Sequence, residues 1–403
     1  MAAPGSAPDR QAPAVILGAG YGGLRLAHRL ARRADRPGRI VLVDRHPVHV
    51  LRTELYEIGR LAATASAARD PFVLRLDRVL RGRAIEYVEG QVERIDLAGR
   101  TVRAGGRTVA FSSLAIALGS VPAYYRVPGA PEHTHHVYRL GAARALAARL
   151  RSLEATARTA GSRHRPRIVV VGGGSTGTEV AGEIATVRWD RLVGRGTPVP
   201  EVVLVTGAVP LLDGMPGPLV RSVRSLLARA RVELLEGHNV RRVDPASLTL
   251  DDASVVPFDL AVWAAGVEAP PVVAALPVPH GRMGRLAVES TLEVPGNPGV
   301  FGVGDVVELK DPVSGGMVPG TAQAALAEAD VAAANLAARR AGRPLVPFRY
   351  RERGVIVSVG LRRAAAVTPH LTLRGSPAKL LKRLVEREYS LSGARRPAAP
   401  LSR

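Results

Sequence analysis

The chain has no cysteine in its 403 residues. That excludes a disulfide framework, a zinc–thiolate centre, a cysteine nucleophile and a redox dithiol. Aromatic residues make up only 4% against 46% hydrophobic, so the core must be largely aliphatic. Lysine is nearly absent: Lys310, Lys379 and Lys382 stand alone, and arginine supplies almost all the positive charge. Acids are short as well, 35 against 56 basic residues, which leaves a formal net charge of +21. Such a balance suits an anionic partner such as nucleic acid, a membrane surface or an anionic ligand. Arginine alongside abundant alanine, glycine and proline also reads as coding bias. No arginine run is interleaved with aromatics, as a single-strand-binding platform requires, so no nucleic-acid partner is expected. Long hydrophobic runs are missing too. The most apolar window, 260–279, holds Glu268 and four prolines, which bars a continuous spanning helix. Residues 1–13 lack a basic start followed by an apolar block and read as a disordered leader rather than a secretory signal. The length predicts two or three domains. The expected location is the cytoplasm, free or peripheral on the inner face of the cell membrane.

What the chain does have is glycine in two patterned clusters. Ala14 to Leu17 is a short apolar strand, followed by Gly18, Gly20 and Gly23 in a G-x-G-x-x-G spacing. A helical pattern follows through Leu24, Leu26, Ala27, Leu30 and Ala31, and then a second strand, Ile40 to Val43, ends in Asp44. Each part has a physical role in holding a dinucleotide. The first glycine makes the tight turn, the second lets a pyrophosphate approach the backbone, and the third lets helix and strand pack closely. The helix N-terminus offers its positive end to phosphate. Asp44 accepts hydrogen bonds from a ribose.

The device recurs. Ile168 to Val171 leads into Gly172, Gly174 and Gly177, the helix continues over Thr178 to Val187, and a further strand runs from Val202 to Val205. That strand ends at Thr206, where an acid is expected. The segment IEYVEGQVERID at 85–96 matches VELLEGHNVRRVD at 232–244, and SSLAIALGS at 112–120 matches FDLAVWAAGV at 258–267. A repeat spacing of roughly 150 residues is far too long for a solenoid. It predicts two related dinucleotide-binding domains, one for a tightly held redox cofactor and one for an exchangeable nicotinamide. A third element supports this. Val300 to Val303 is an apolar strand ending in Gly304-Asp305, and a long Ala-rich helix begins after Thr321, a suitable N-cap. Its N-terminus suits the negative charge of a reduced flavin.

Together these pieces resemble the flavoprotein family of pyridine-nucleotide oxidoreductases, over about residues 13–389. Within it, GGGSTGTEVAGE, VDRHPVHVLRTELYEI, GTAQAALAEADVAAANL and PFRYRERGVIVSVGLRRAAAV resemble stretches of type II NADH:quinone oxidoreductases. The resemblance implies an α/β fold of two Rossmann-like domains, the second inserted into the first, with a small C-terminal segment. The implied limits are 13–125 with 270–345 for FAD, 126–269 for NAD(P)H, and 346–403 for the remainder. It implies FAD contacts at Gly18, Gly20, Gly23, Asp44, Arg45, Val92, Gly119, Asp305, Ala322 and Gln323. It implies NAD(P)H contacts at Gly172, Gly174, Gly177, Glu179, Thr206 and Gly266. Glu179 beside the nicotinamide and Gln323 at the flavin edge are the implied catalytic pair. No metal is expected: His133, His135 and His136 lack a completing ligand in the nearby sequence and read as a solvated loop.

Departures accompany the match. Ala327 stands where that family has a second glutamine, Thr53-Glu54 replaces a Pro-Leu pair near the flavin, and the tail is short. These bear on the quinone and leave the flavin untouched. Thr206 does not repel a 2′-phosphate and no arginine follows it, so NADH is expected, with NADPH tolerated. Residues 376–389 have helical spacing, with Leu380, Leu381, Leu384, Val385 and Tyr389 expected on one side and Lys379, Lys382, Arg383 and Arg387 on the other. Such a helix suits an anionic membrane surface, its own domain or a second subunit of a homodimer. The implied reaction is hydride transfer from NADH to FAD, then electron transfer to a quinone. Two alternatives stand: a soluble NAD(P)H-dependent reductase of a small electron-transfer protein, and a flavin-bearing polyanion-binding protein without turnover.

Overall fold

The computed structural model describes residues 12–64, 70–159 and 165–395. Most of the leader read over residues 1–13 lies outside them. Strand β1 (Ala14–Leu17), helix α1 (Tyr21–Ala31), strand β2 (Ile40–Asp44), helix α2 (Ile58–Ala63) and strands β3 (Glu86–Glu89) and β4 (Ser113–Ile116) come first. Helix α3 (Leu140–Thr159) leads to β5 (Arg167–Val171), α4 (Ser175–Thr186), β6 (Glu201–Val205), α5 (Gly217–Arg229), β7 (Val232–Leu235) and β8 (Leu260–Trp263). Strand β9 (Val300–Gly302) and helix α6 (Ala322–Arg340) follow. The chain ends in β10 (Val355–Ser358), β11 (Ala364–Val367), β12 (Thr372–Gly375) and helix α7 (Ser376–Arg395).

Two parallel sheets organise these elements. The first has the order β9-β4-β1-β2-β3 and the second β7-β6-β5-β8. Starting from β3 and from β7, both read third, second, first, fourth, the strand order of a doubly wound dinucleotide fold. Strand β9 returns to the first sheet after the second is complete, so the second unit is an insertion. The repeat is also visible in detail. Each unit carries a three-stranded antiparallel sheet, 92–96 with 101–104 and 107–110, and 240–244 with 247–250 and 255–257. Both have a register shift at the same place, between Val92 and Arg94 and between Val240 and Arg242.

The strands are β-branched and buried on both faces, as parallel sheets require. Ile16, Leu42, Ala115 and Phe301 pack against α1 and α6, while Val15, Leu17, Val41 and Val43 fill the other face. In the second sheet Ile168, Val170, Leu204 and Val262 face the helices, and Val169, Val203, Val205 and Trp263 the opposite side. Arg25 and Arg29 of α1 share Asp330 of α6, each Nε lying 2.7 Å from Oδ1. Val92, expected at the FAD, is only 5% exposed and packs in the core beside Val15 and Val41. Any cofactor contact it makes runs through its backbone.

The glycines that open α1 and α4 divide the work identically. Gly18 has φ +99° and Gly172 φ +124°, a region that side chains avoid. A Cβ on Gly23 would overlap the Gly18 carbonyl, and one on Gly177 the Gly172 carbonyl, whereas a Cβ on Gly20 or Gly174 would meet nothing within 4 Å. This contrast makes a prediction. Gly177→Ala should lose roughly 3 kcal/mol or more of unfolding free energy through overpacking. Gly174→Ala should change it by less than about 1 kcal/mol. Denaturant unfolding of the two variants checks this, and equal stabilities would contradict the packing.

Candidate active site

The carboxyl ends of both sheets converge. Asp44, closing β2, accepts from Ala19 N in the first glycine turn (2.7 Å) and from His46 N (3.0 Å). Its neighbour Arg45 is exposed and reaches Gln91 Oε1 at 3.4 Å. Beyond β9, Asp305 accepts from Ser120 Oγ at 2.9 Å, one residue past Gly119. Thr321 caps α6 as expected, its side chain accepting from Ala324 N. A Cβ on Gly320, just before that cap, would lie 3.6 Å from Asp305 Oδ1, so the start of α6 abuts the acid. Ala322 and Gln323, the first residues of α6, are half-buried, and Gln323 Nε2 donates to Arg351 O at 3.2 Å.

In the second unit Thr206 is fully buried beneath its glycine turn, and a Cβ on Gly173 would fall 2.7 Å from the Thr206 methyl. Thr206 thus occupies the position of Asp44 but presents a methyl where the acid presents oxygen. Gly266, after β8, has φ +150° and faces Tyr125, while Tyr138 hydrogen-bonds the Gly266 backbone. The two units therefore meet along Asp305, Ser120, Arg52, Tyr138 and Gly266, because Arg52 donates to both the Ser120 and Tyr138 carbonyls.

Glu179 sits on α4 one turn past Gly174, only 9% exposed. Its Oε1 accepts from Ser358 N at 3.0 Å and from Lys382 Nζ. Lys379 Nζ lies 3.2 Å from both Tyr56 Oη and Ser358 Oγ, and 3.7 Å from Glu57. Lys382 Nζ also stands 4.3 Å over the Tyr56 ring. This corrects the expected polarity of α7. Its lysines point inward, at 3% and 9% exposure, while Leu380, Leu384 and Val385 are exposed. Only Arg383 and Arg387 remain as an exposed basic flank. Leu381 packs inward on Ala364, Ala366 and Ala378, and Tyr389 bonds His49 (3.1 Å). His49 Nδ1 donates to Ala19 O at 2.8 Å, which leaves Nε2 to accept from Tyr389 and ties α7 to the first glycine turn.

Several further acids lie near these residues. Glu54 is buried and paired with Arg60 at 2.7 Å, with burial raising its pKa. Glu183 is fully buried beside Gly59, and desolvation raises it to about 7. Glu386 is likewise raised to about 7 by burial. Glu328 bonds Gly304 N at 2.6 Å beneath Asp305 and is also raised to about 7 by burial. A signal for the lysines existed: in a chain that uses arginine almost everywhere, two lysines three apart mark a need for a compact ammonium. Of the three histidines at 133–136, His135 runs alongside β8, its N–H donating to Ala261 O at 2.9 Å, so the segment is bridged rather than a free loop. The one group with metal-ligand proximity among the described residues is His238, Asp251 and Asp252, partly to fully exposed.

Two sheets in the same strand order, each ending in a glycine turn with open space beside its helix N-terminus, define a protein built for two dinucleotides. The residues fit such ligands: the space beside Gly20 and Gly174 is open, and acids or small side chains flank it. Residues 12–329 match the pyridine nucleotide-disulphide oxidoreductase family, and the chain belongs to that family. It is 31% identical over 388 residues to the type II NADH:quinone oxidoreductase Ndh of Mycobacterium tuberculosis, covering 90% of this chain and 81% of that one. It is 29% identical over 381 residues to the demethylphylloquinone reductase NdbB of Synechocystis sp., covering 92% and 90%. The structure of NDH2 from Plasmodium falciparum in complex with NADH superposes with a TM-score of 0.80 at 14% identity, over 95% of this chain and 97% of that one, a likeness of fold. The expected fold class and family are borne out.

The buried acid Glu183 gives a stability prediction. Its folded pKa lies above its unfolded value, so the folded state binds the extra proton between about pH 4.5 and 7. Its contribution to stability therefore falls as pH rises through that window. Glu183→Gln should raise the thermal midpoint at pH 8 and give little gain near pH 4. An equal effect at both pH values would contradict the assignment.

Proposed function

We propose that this chain is an FAD-dependent NADH dehydrogenase that delivers electrons to a quinone. The observation that carries the reading is the pair of open glycine turns, together with the Asp305–Ser120–Arg52–Tyr138–Gly266 line along which the two units meet. The names of the relatives support it. The FAD unit comprises 13–125 with 270–345, the nicotinamide unit 126–269, and 346–403 is the C-terminal segment, whose Ser358, Lys379 and Lys382 join the network around Glu179. Gly18, Gly20, Gly23, Asp44, Asp305 and the start of α6 hold FAD, with the backbone at Val92, Gly119, Ala322 and Gln323 beside it and Arg45 at its outer edge. Gly172, Gly174, Gly177, Thr206 and Gly266 hold NADH.

Bound flavin supplies the two-electron chemistry, and the protein supplies position and field. Gly20 and Gly174 let phosphates reach the first amides of α1 and α4. Thr206 places no carboxylate against the adenosine ribose, and Glu236, on the next strand over, is already held by Arg224 (2.7 Å) and Leu211 N (3.1 Å). NADH is the assigned donor, with NADPH tolerated. Glu179, fixed by Lys382 and Ser358, orients the nicotinamide side of the junction. Lys379 and Lys382 hydrogen-bond within that network, and burial brings Glu183 and Glu386 to about 7, so that both acids exchange protons near neutral pH.

Anaerobic titration of the purified protein with NADH should bleach the flavin absorbance, and a short-chain quinone should restore it. Bleaching without recovery would redirect the acceptor to a small electron-transfer protein. Absence of bleaching with NADH and NADPH would overturn the dehydrogenase reading.

The acceptor also bears on α7. No helix among the described residues is long and apolar enough to cross a membrane. The exposed edge of Leu380, Leu384 and Val385, flanked by Arg383 and Arg387, suits the interface of an anionic bilayer. Leu384→Glu with Val385→Glu should abolish co-sedimentation with anionic vesicles. Retained binding would contradict a membrane role for this edge. A switch from dimer to monomer in light scattering, with no vesicle binding by the parent protein, would assign the edge to a second copy.

A further inference from the structure

We propose that Arg52 binds the diphosphate of the dinucleotide held by the first sheet, an inference that rests on the FAD reading above. Arg52 opens a short 3-10 turn, Arg52–Glu54, after strand residues 48–50. The turn is fastened to the start of α1: Thr53 Oγ1 lies 2.7 Å from Tyr21 Oη, and Tyr21 directly follows Gly20. On its other side, a Cβ on Gly119 would lie 3.0 Å from Arg52 Nη1. The guanidinium thus stands over the carboxyl edge of the sheet, among Asp44, Asp305, Tyr21 and Arg45, all within its electrostatic reach.

Its hydrogen bonds are unusual for a partly buried arginine. Nε donates to Tyr138 O at 3.1 Å, and Nη2 to Tyr138 O at 2.8 Å and Ser120 O at 3.2 Å. These acceptors are neutral carbonyls. They fix the plane of the fork, and Asp305 and Asp44 act on its charge only through space, with no carboxylate among its hydrogen-bond acceptors. Asp305, the nearest acid in that direction, spends Oδ2 on Ser120 Oγ. Burial, and after it the neighbouring Arg45, push the Arg52 pKa down, while Asp305 and Asp44 pull it up. A cation withdrawn from water without a carboxylate partner is costly unless an anion arrives. The amides at the start of α1 already favour phosphate at this place. A diphosphate between Gly20 and Arg52 would satisfy both, with Asp44 and Asp305 left for sugar hydroxyls.

The test compares full-length wild type, Arg52→Gln and Arg52→Lys, with far-UV circular dichroism confirming the fold. Dissociation constants for FAD, ADP and riboflavin are measured by fluorescence and competition. Arg52→Gln should weaken FAD and ADP by roughly tenfold or more and leave riboflavin within twofold. Arg52→Lys keeps the charge without the fork and should fall between, and it carries the test if the glutamine variant does not fold. FAD and ADP affinities within twofold of wild type in the folded variants would overturn the proposal. So would an equal loss for riboflavin, which would place Arg52 at the flavin ring or in the fold. A wild-type protein that binds ADP tenfold more weakly in Arg52→Gln but binds no FAD would sink the FAD reading and keep the diphosphate site.

Discussion

The carbonyl of Gly18 lies where a side chain on Gly23 would have to begin, and the carbonyl of Gly172 lies under Gly177 in the same way. This close approach of helix to turn sets the position of everything else. It seats α1 and α4 on their sheets, and it aims their first amides at open space beside Gly20 and Gly174. Because the constraint occurs twice in one strand order, each unit offers an equivalent open edge to a dinucleotide. The segments between them then have one task, to hold the edges in register. Arg52, bonded to carbonyls at the two ends of the first connecting segment, and α2, packed against the second unit beside Val187, perform it.

A second tier of structure is electrostatic. Around Glu179 lies a buried group of acids, lysines, Tyr56 and Ser358 drawn from α2, α4, β10 and α7. Burying so many ionisable groups is expensive, and the cost is met by pairing opposite charges and by keeping some acids neutral. Glu183 and Glu386 follow the second course. The arrangement fastens the C-terminal helix over the junction while leaving its apolar edge outward. One helix thus closes the site on its charged face and offers a hydrophobic strip on the other.

The sequence made the sheets, the insertion and the glycine turns legible because backbone constraints act locally. Strands at 14–17, 40–44, 167–171 and 201–205, and the Thr321 cap, fall where β-branched runs, glycine spacing and cap chemistry place them. The orientation of α7 was not legible. Helical periodicity assigns lysine to water, but Lys382 finds its carboxylate 203 positions away and Lys379 its hydroxyl 323 positions away. Partners that distant decide burial and leave no local trace. The direction of the Val92 side chain was not legible either: the pleat turns it into the core, which leaves its backbone to face outward. Arg52 and Glu328 lie within stretches that resemble the family but were not singled out there, because their importance lies in what they face.

The central claim is that one chain holds two dinucleotides at two separate glycine turns. Binding stoichiometry tests it most directly, using Gly20→Val and Gly174→Val, which fill the two open spaces without touching the packed glycines. Calorimetry on the parent protein should find one FAD and one NADH analogue per chain. Gly20→Val should lose FAD, and Gly174→Val should keep FAD and lose the nicotinamide. If either substitution removed both ligands in a folded protein, or neither, the account of two independent sites would be contradicted.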